Sequence, residues 1–583
     1  MPAAGNAEVV ELLENIADML EIKGESVFRV RAYRDAARSV DSLTQPLSVV
    51  IEQGDLCEIP GIGESIAAKI KEFVDTGHSQ YYEELRESIS PGVASLLQVP
   101  GIGPKKARLF SEQLGIDSVE ALENAARNHL LSKIPRIGAK TEQSILDSIE
   151  RMHGRSDRIP LGVALPKALS ILDSVRNFPQ VIEADLAGSI RRMMETIGDI
   201  DLIASSPDPS AAVEAFVSLP DAKSVLVKGP TKGTIVTPDH LQIDLRVVLP
   251  EEYGSGLQHF TGSKAHNIKI RTIAESKGLK VNEYGTFRIS DDARVAGDTE
   301  ESVYNALGLS WMPPELREDR GEIEAAGKGT LPALIQIADL MGDLHIHTDW
   351  SDGANTPEEM VLAGIDRGYE YMVISDHSIS MGFIHGLNIE RIMEQRKLID
   401  MLNDKYPSIR ILHGTEMNIR ADGSLDYEDS VLEMFDVVTA SIHSGMGMSC
   451  EKMTDRIIRA IENPHVDVLG HPTGRTLGKR EPYEVDMSAV IKAAARTGTA
   501  LEINSQPSRL DLRDIDARAA KESGVMLVIN SDAHAADQLG IVSYGIATAR
   551  RGWIESKDVL NALPLSELLD WLNYTGVPVR RAA

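Results

Sequence analysis

Three aspartates, Asp199, Asp201 and Asp244, sit in two short apolar runs, GDIDLIAS and LQIDLRVVL. Asp199 and Asp201 are two residues apart, a spacing that turns both carboxylates to one face of a strand. Asp244 lies on a second such run, flanked by residues that suit a core. Carboxylates converging on one surface repel one another unless cations bind between them. Two magnesium ions about 3.5–4 Å apart would satisfy the set, activate a hydroxyl and stabilise a departing pyrophosphate. That chemistry is nucleotidyl transfer. Upstream, Gly188 and Ser189 precede a helical stretch and offer amides and a hydroxyl to phosphates, and Arg191 and Arg192 add fork-shaped donors.

A second constellation lies towards the C-terminus. His345 and His347 form an HxH pair, and Asp352 follows in the next turn. His377, Glu416, His443 and His471 each end an apolar run, and Asp532 and His534 end LVINSDAH. Imidazoles mixed with carboxylates suit zinc, manganese or iron better than magnesium. Nine ligand residues exceed the roughly four to six positions of one ion, so two or three ions are implied, with Asp or Glu bridging. Such a cluster binds a phosphodiester, lowers the pKa of a water and cleaves the bond.

The elements that must carry these groups can be read in outline. The first 150 residues repeat a pattern: IPGIGESIAAKI (59–70), VPGIGPKKARLF (99–110) and, more weakly, IPRIGAKTEQSI (134–145). Each Gly-hydrophobic-Gly turn joins two helical stretches and leaves backbone amides at the start of the second. With the helix dipole, those amides hold a phosphate oxygen without reading sequence. Gly61, Gly63, Gly101, Gly103 and Lys105 are the candidate DNA-backbone contacts. A dinucleotide-binding glycine loop would need a preceding strand, and no strand-like run precedes any copy. From about residue 160 short β-rich runs predict an α+β domain. Residues 313–340, rich in Pro, Gly and charge, read as a linker. Beyond them, apolar strand-like runs alternate with helical stretches, which predicts a parallel α/β barrel with its functional groups where strands end.

The bulk numbers agree in most respects. A chain of 583 residues suits about three to five domains. Hydrophobic content of 42% and charged content of 25% exclude disorder as the default. No apolar run of about 18 residues occurs, and the N-terminus reads as an amphipathic helix, so no membrane partner is expected. Two distant cysteines, Cys57 and Cys450, exclude a disulfide framework or thiolate zinc site and fit a cytoplasmic location. The net charge of −28 is unusual for a nucleic-acid partner. Bound cations are not counted in it, however, and basic residues cluster locally at Lys105, Lys106 and Arg108 and at Lys264, Lys269 and Arg271.

The GS…RR…GDxD set with Asp244 resembles the X family of DNA polymerases. The resemblance implies a lyase-like helix-hairpin-helix domain (1–85), a fingers-like helix-hairpin-helix region (86–155), a nucleotidyltransferase palm (156–250) and a thumb (251–312). Lys69 falls where the family's Schiff-base lysine sits and is the implied lyase nucleophile. Arg158, Ser189 and Arg192 match triphosphate contacts, with Gly188 beside them. In HFTGSKAHN, Phe260, Gly262 and Asn267 match contacts to the nucleotide sugar and base. His259 stands where the family usually has tyrosine, which puts sugar discrimination in question, and Met194 stands where bacterial relatives often have lysine. The nine histidines and acids resemble the motifs of the polymerase and histidinol phosphatase (PHP) domain, placed at 341–583, and all nine positions are intact. The combination implies a monomeric gap-filling polymerase for base-excision repair, acting on gapped or primed DNA with dNTPs and Mg2+. It also implies a 3′→5′ exonuclease using Mn2+, Zn2+ or Fe2+, with processing of abasic sites as a further activity. Two other readings stand beside it: a small-molecule phosphatase fused to an inactive transferase, and a non-catalytic DNA-end scaffold.

Overall fold

The computed structural model describes residues 6–573, apart from 42–46, 48–49, 52–55, 60, 100–101, 136, 155–157 and 381–384. It divides into two compact units, Met1–Asp157 and Arg158–Ala583.

The first unit is helical. In helix Asn6–Lys23 the apolar residues Val9, Leu12, Leu13, Ile16 and Leu20 recur at the spacing of one helix face, and all are buried. They share a core with Ile66 and Ile70 of helix Glu64–Thr76. A second core gathers Phe110 of helix Pro104–Leu114 with Leu122 and Ile149. Gly61 adopts φ +86°, where a side chain would be strained. Gly63 and Gly103 are the extended N-caps of the two helices, and neither helix start carries a side-chain cap. The Ile66 and Lys106 amides bond back to the Gly63 and Gly103 carbonyls at 2.9 Å, and the amides of Glu64, Ser65 and Lys105 before them receive no cap from Gly63 or Gly103. Gly101 lies outside the described residues.

The second unit opens with a strand pair, β1 (Ile159–Pro160) and β3 (Thr196–Ile197). A mixed five-stranded sheet has the order β2 (Glu183–Leu186), β4 (Ile200–Ser205), β7 (Gln242–Val248), β6 (Lys232–Val236), β5 (Ser224–Lys228). β4 and β7 are parallel and set Asp201 directly opposite Asp244. Leu202, Ala204, Ile243, Leu245 and Val247 bury the intervening positions. A smaller antiparallel sheet, β8 (Leu279–Asn282), β9 (Gly285–Arg288) and β10 (Arg294–Ala296), follows helices Tyr253–Thr261 and Lys264–Ser276.

Residues 313–340 join this region to the next without being a bare tether. They carry helix Glu322–Lys328 and a fully buried Arg317. Arg317 donates to Glu300 at 2.5 and 3.1 Å and to the Met312 carbonyl at 2.9 Å. Glu300 accepts two further bonds from Arg191 at 2.8 and 2.9 Å. Burial alone would raise the Glu300 pKa, but the two guanidiniums hold it down to about 2. Glu322 accepts from the Asp319 and Arg320 amides of the same segment at 2.9 and 2.8 Å and pairs with His266 at 2.7 Å. The Pro, Gly and charge content that suggests a loose connection is used here for turns and buried ion pairs.

The rest is a parallel barrel of seven strands among the described residues, adjacent in chain order: β11 (Gly342–Ile346), β12 (Tyr371–Ile374), β13 (Arg410–Asn418), β14 (Val437–Ser441), β15 (Val468–Leu469), β16 (Ala500–Asn504) and β17 (Leu527–Asn530). A bridge between Ile346 and Ala533 brings its first and last strands together. Every strand residue except Arg410 is buried, as strands covered on both faces must be. No helix among the described residues is long and apolar enough to cross a membrane.

The Arg317–Glu300 pair yields a stability prediction. Arg317→Ala leaves Glu300 buried with half of its compensation, a loss of about 3–5 kcal/mol. Heat unfolding of the full chain is expected to show a clearly lowered midpoint; an unchanged midpoint would mean that the pair does not hold the segment.

Candidate metal centres

At the first centre Asp201 stands inside β4 and Asp244 inside β7, whereas Asp199 lies just before β4 and not within the strand. The chain enters the strand at Gly198-Asp199, and the three carboxylates still offer oxygens within 4.8 Å of one another. Burial, then the charges of Asp199 and Asp244, push Asp201 up to about pH 7, while Lys232 and Arg192 pull the other way. A carboxylate so raised is stabilised by added positive charge. Lys232, which the sequence gave no reason to single out, supplies some of it from 2.6 Å off Asp244. Gly188 is required here. It adopts φ +58°, and a Cβ built on it would lie 1.9 Å from Asp201 Oδ2.

The nucleotide candidates are only partly gathered. Ser189 lies in the single turn Gly188–Arg191. Arg192 follows it and donates to the Thr261 carbonyl at 2.6 Å, beside Gly262, and to Glu318 at 2.9 Å. Phe260 packs under Arg246, whose guanidinium carbon is 5.3 Å from the ring centre. Asn267 is committed to the His259 carbonyl at 2.7 Å and to Gln258 at 2.9 Å. Arg158 bonds to the Thr196 hydroxyl at 3.0 Å and to the Thr196 carbonyl. His259 is lowered by burial.

In the first unit Lys69 donates to the Ser65 carbonyl and hydroxyl, each at 2.9 Å, and its ammonium lies 4.7 Å from the centre of the Tyr81 ring. Burial first, then Arg29, lowers its pKa, as a nucleophilic amine requires. Lys105 is exposed and 3.5 Å from Glu21.

The second centre brings all nine expected residues to the C-terminal end of the barrel. His345 and Glu416 project from β11 and β13; the others follow strand ends or sit in the adjoining loops. His347, Asp352, His377 and His534 form one group, His345, His347 and Asp532 a second, and His377, Glu416 and His443 a third. His471 joins through Glu416 at 2.8 Å. His347 and His377 belong to two groups each, so the arrangement is one cluster with shared members.

The donor set fits divalent cations. Buried nitrogens of His345, His347, His377, His443 and His471 have no well-formed hydrogen bond within the protein. Carboxylate oxygens nevertheless lie close, with Glu416 at 3.0 Å from His377 and Asp532 at 3.2 Å from His347. Burial would raise Glu416 and Asp532, yet neighbouring imidazoles hold both well below the usual carboxylate range. The histidines divide. Burial and two adjacent imidazoles drop His347 to about 4, while Asp352 and Asp532 outweigh burial and lift His534 to about 9. Asp532 and His471 adopt φ +54° and +26°, left-handed conformations held at a functional cluster.

Glu502 was not among the expected residues. Its oxygens accept from His345 Nδ1 at 2.7 Å, the His471 amide at 2.6 Å and the Asn530 amide group at 2.9 Å. The bond to Nδ1 puts the proton there and leaves His345 Nε2 facing Glu416 and Asp532. The available signal was a lone acid inside the apolar run TALEINS.

Comparison with known proteins agrees with this geometry. Four family models match: a helix-hairpin-helix domain at residues 4–79, a SAM-like helix-hairpin-helix tandem at 93–151, the DNA polymerase beta thumb at 256–318 and the PHP domain at 343–506. The DNA polymerase/3′-5′ exonuclease PolX of Bacillus subtilis is 39% identical over 563 residues, 96% of this chain and 98% of the relative. The chain belongs to the PolX family. DNA polymerase lambda of Rattus norvegicus is 26% identical over 347 residues, 54% of this chain and 56% of the relative. A probable phosphatase of Shewanella sediminis is 30% identical over 248 residues, 40% of this chain and 94% of the relative. Family membership and the two clusters make divalent metals part of the protein's chemistry.

Glu502→Gln keeps the size of the side chain and removes the charge that orients His345. Metal affinity of the barrel centre is expected to fall roughly 10–100-fold. Titration of the apo full chain with Mn2+ measures it; unchanged affinity would mean that Glu502 only packs.

Proposed function

We propose that this chain is a template-directed DNA polymerase that fills gaps in base-excision repair, with a 3′→5′ exonuclease in its barrel. Carrying this reading is the coexistence, in one PolX-family chain, of a three-carboxylate centre on β4 and β7 and a complete nine-residue cluster at the barrel end. The substrates are gapped or primed DNA and dNTPs, the working form is a monomer, and the compartment is the cytoplasm. We assign the division of labour as lyase-like domain 1–85, fingers-like region 86–155, palm 156–250, thumb 251–312, a packed connecting segment 313–340 and barrel 341–583.

The roles are assigned as follows. Gly61, Gly63, Gly101, Gly103 and Lys105 grasp DNA phosphates with helix-start amides and an exposed ammonium. Asp199, Asp201 and Asp244 hold Mg2+. Ser189, Arg192 and Arg158 hold the triphosphate, and the Gly188 turn gives phosphates room beside Asp201. Phe260, Gly262 and Asn267 line the sugar and base. Lys69, desolvated beside Tyr81, attacks the sugar aldehyde of an abasic end. His345, His347, Asp352, His377, Glu416, His443, His471, Asp532 and His534 hold two or three divalent ions, Mn2+, Zn2+ or Fe2+. When bound, such ions polarise a phosphoryl group and activate water. The residues themselves orient the phosphodiester and keep bulk water from the cluster.

One assay tests the reading. A labelled primer on a gapped template is incubated with and without dNTPs, in Mg2+ and in Mn2+. Extension with dNTPs and 3′ shortening without them are expected. Asp201→Ala should lower extension at least about 10³-fold and spare shortening; His345→Ala should do the reverse. Extension by Asp201→Ala at the wild-type rate contradicts the polymerase assignment. Faster turnover of small phosphate monoesters than of DNA ends would favour a phosphatase, the name carried by the Shewanella relative.

A further inference from the structure

The carboxylate centre and the barrel are joined through side chains as well as through the chain. Helix Val542–Arg551 of the barrel ends at Arg551, which is 6% exposed. Its guanidinium donates to the Arg192 main-chain carbonyl at 2.8 Å, to Glu318 Oε1 at 3.2 Å and to Asp514 at 2.9 Å. Glu318 Oε1 also accepts from Arg192 Nε at 2.9 Å. One carboxylate oxygen thus takes a guanidinium proton from the barrel and another from the palm. The side chains of Arg192, Glu318, Asp514 and Arg551 are all at least four-fifths buried, so salt screens them weakly.

The sharing has a chemical consequence. A carboxylate divided between two arginines neutralises neither completely. Arg551 draws on Glu318 and fixes the backbone of Arg192, so the Arg192 guanidinium keeps charge to offer a phosphate. Without Arg551, Glu318 turns wholly to Arg192 and competes with any incoming anion. Docking of barrel on palm does not depend on this residue alone. Arg475 pairs with Glu195 at 2.8 Å, and Gly162 packs so closely on Pro507 that a Cβ would lie 2.2 Å from its ring.

We propose that Arg551 is a positioning residue for nucleotide addition, setting Arg192 through Glu318 for the triphosphate of the incoming dNTP. The inference rests on the reading of Arg192 as a triphosphate donor. It makes the barrel a structural part of the polymerase site in addition to its own exonuclease.

The test is steady-state gap filling by the full chain, with Arg551→Ala, Arg551→Lys, Arg192→Ala and the Arg192→Ala/Arg551→Ala double variant. Arg551→Ala is expected to raise KM for dNTP roughly 5–20-fold, with kcat changed less than about threefold and the exonuclease rate unchanged. Arg551→Lys should recover part of the KM, since an ammonium keeps the charge without the fork. On the Arg192→Ala background, removing Arg551 should add nothing. An unchanged KM in Arg551→Ala, with KM raised in Arg192→Ala, overturns this proposal alone. So do KM effects that multiply in the double variant, or a matching loss of exonuclease. An unchanged KM in Arg192→Ala removes Arg192 from triphosphate binding and overturns both readings.

Discussion

The architecture of the second unit depends on keeping carboxylates and imidazoles together where water is scarce. Glu416, Asp532, His345 and His347 are almost completely buried, and several of their nitrogens have no well-formed partner. An ion or a donor removed from water without compensation costs several kcal/mol. Protons can meet part of that cost, since burial and adjacent imidazoles hold the His347 pKa down while Asp352 and Asp532 lift that of His534. Divalent cations meet it more fully, since one ion neutralises two carboxylates and accepts imidazole lone pairs that protons leave opposed. The same constraint acts in milder form at Asp201, where Lys232 and Arg192 temper the repulsion.

Parallel strand pairing is what makes such crowding feasible. In the barrel, adjacent strands end together, so donors distant in sequence arrive at one rim without bending the backbone far. The closure between Ile346 and Ala533 brings the HxH strand beside Asp532 and His534. In the palm, the single parallel pair β4–β7 sets Asp201 opposite Asp244. Gly188 then clears the space that a side chain would take from Asp201. Away from the sites, buried arginines lock the connecting segment. Arg317 and Arg191 both grip Glu300, which turns a charged, proline-bearing stretch into part of the packed unit.

Much of this was legible in the residues. Strand-end histidines carry their own geometry, because a strand terminus fixes where a side chain points. The GDxD pair does so only in part, since Asp199 precedes β4 and reaches the centre from the turn before the strand. The first Gly-hydrophobic-Gly turn is equally local, and Gly61 adopts the left-handed conformation that favours glycine. What escaped was long-range. Glu502 reaches His345 across 157 residues, and Arg551 reaches Glu318 across 233. No local period relates such pairs; only the closed barrel and its docking on the palm do. The linker reading of residues 313–340 missed the packing there for the same reason, since composition reports turns but not the buried partners of Arg317.

The central claim is that the barrel cluster is a multi-ion centre separate from the carboxylate centre of the palm. Its most direct test is the number of Mn2+ ions retained per chain after dialysis, for the full chain and for the His345→Ala/His347→Ala variant. The account predicts roughly two or three retained ions in the first and at most about one in the second, with gap filling in Mg2+ intact in both. Equal retention by the two proteins would contradict it.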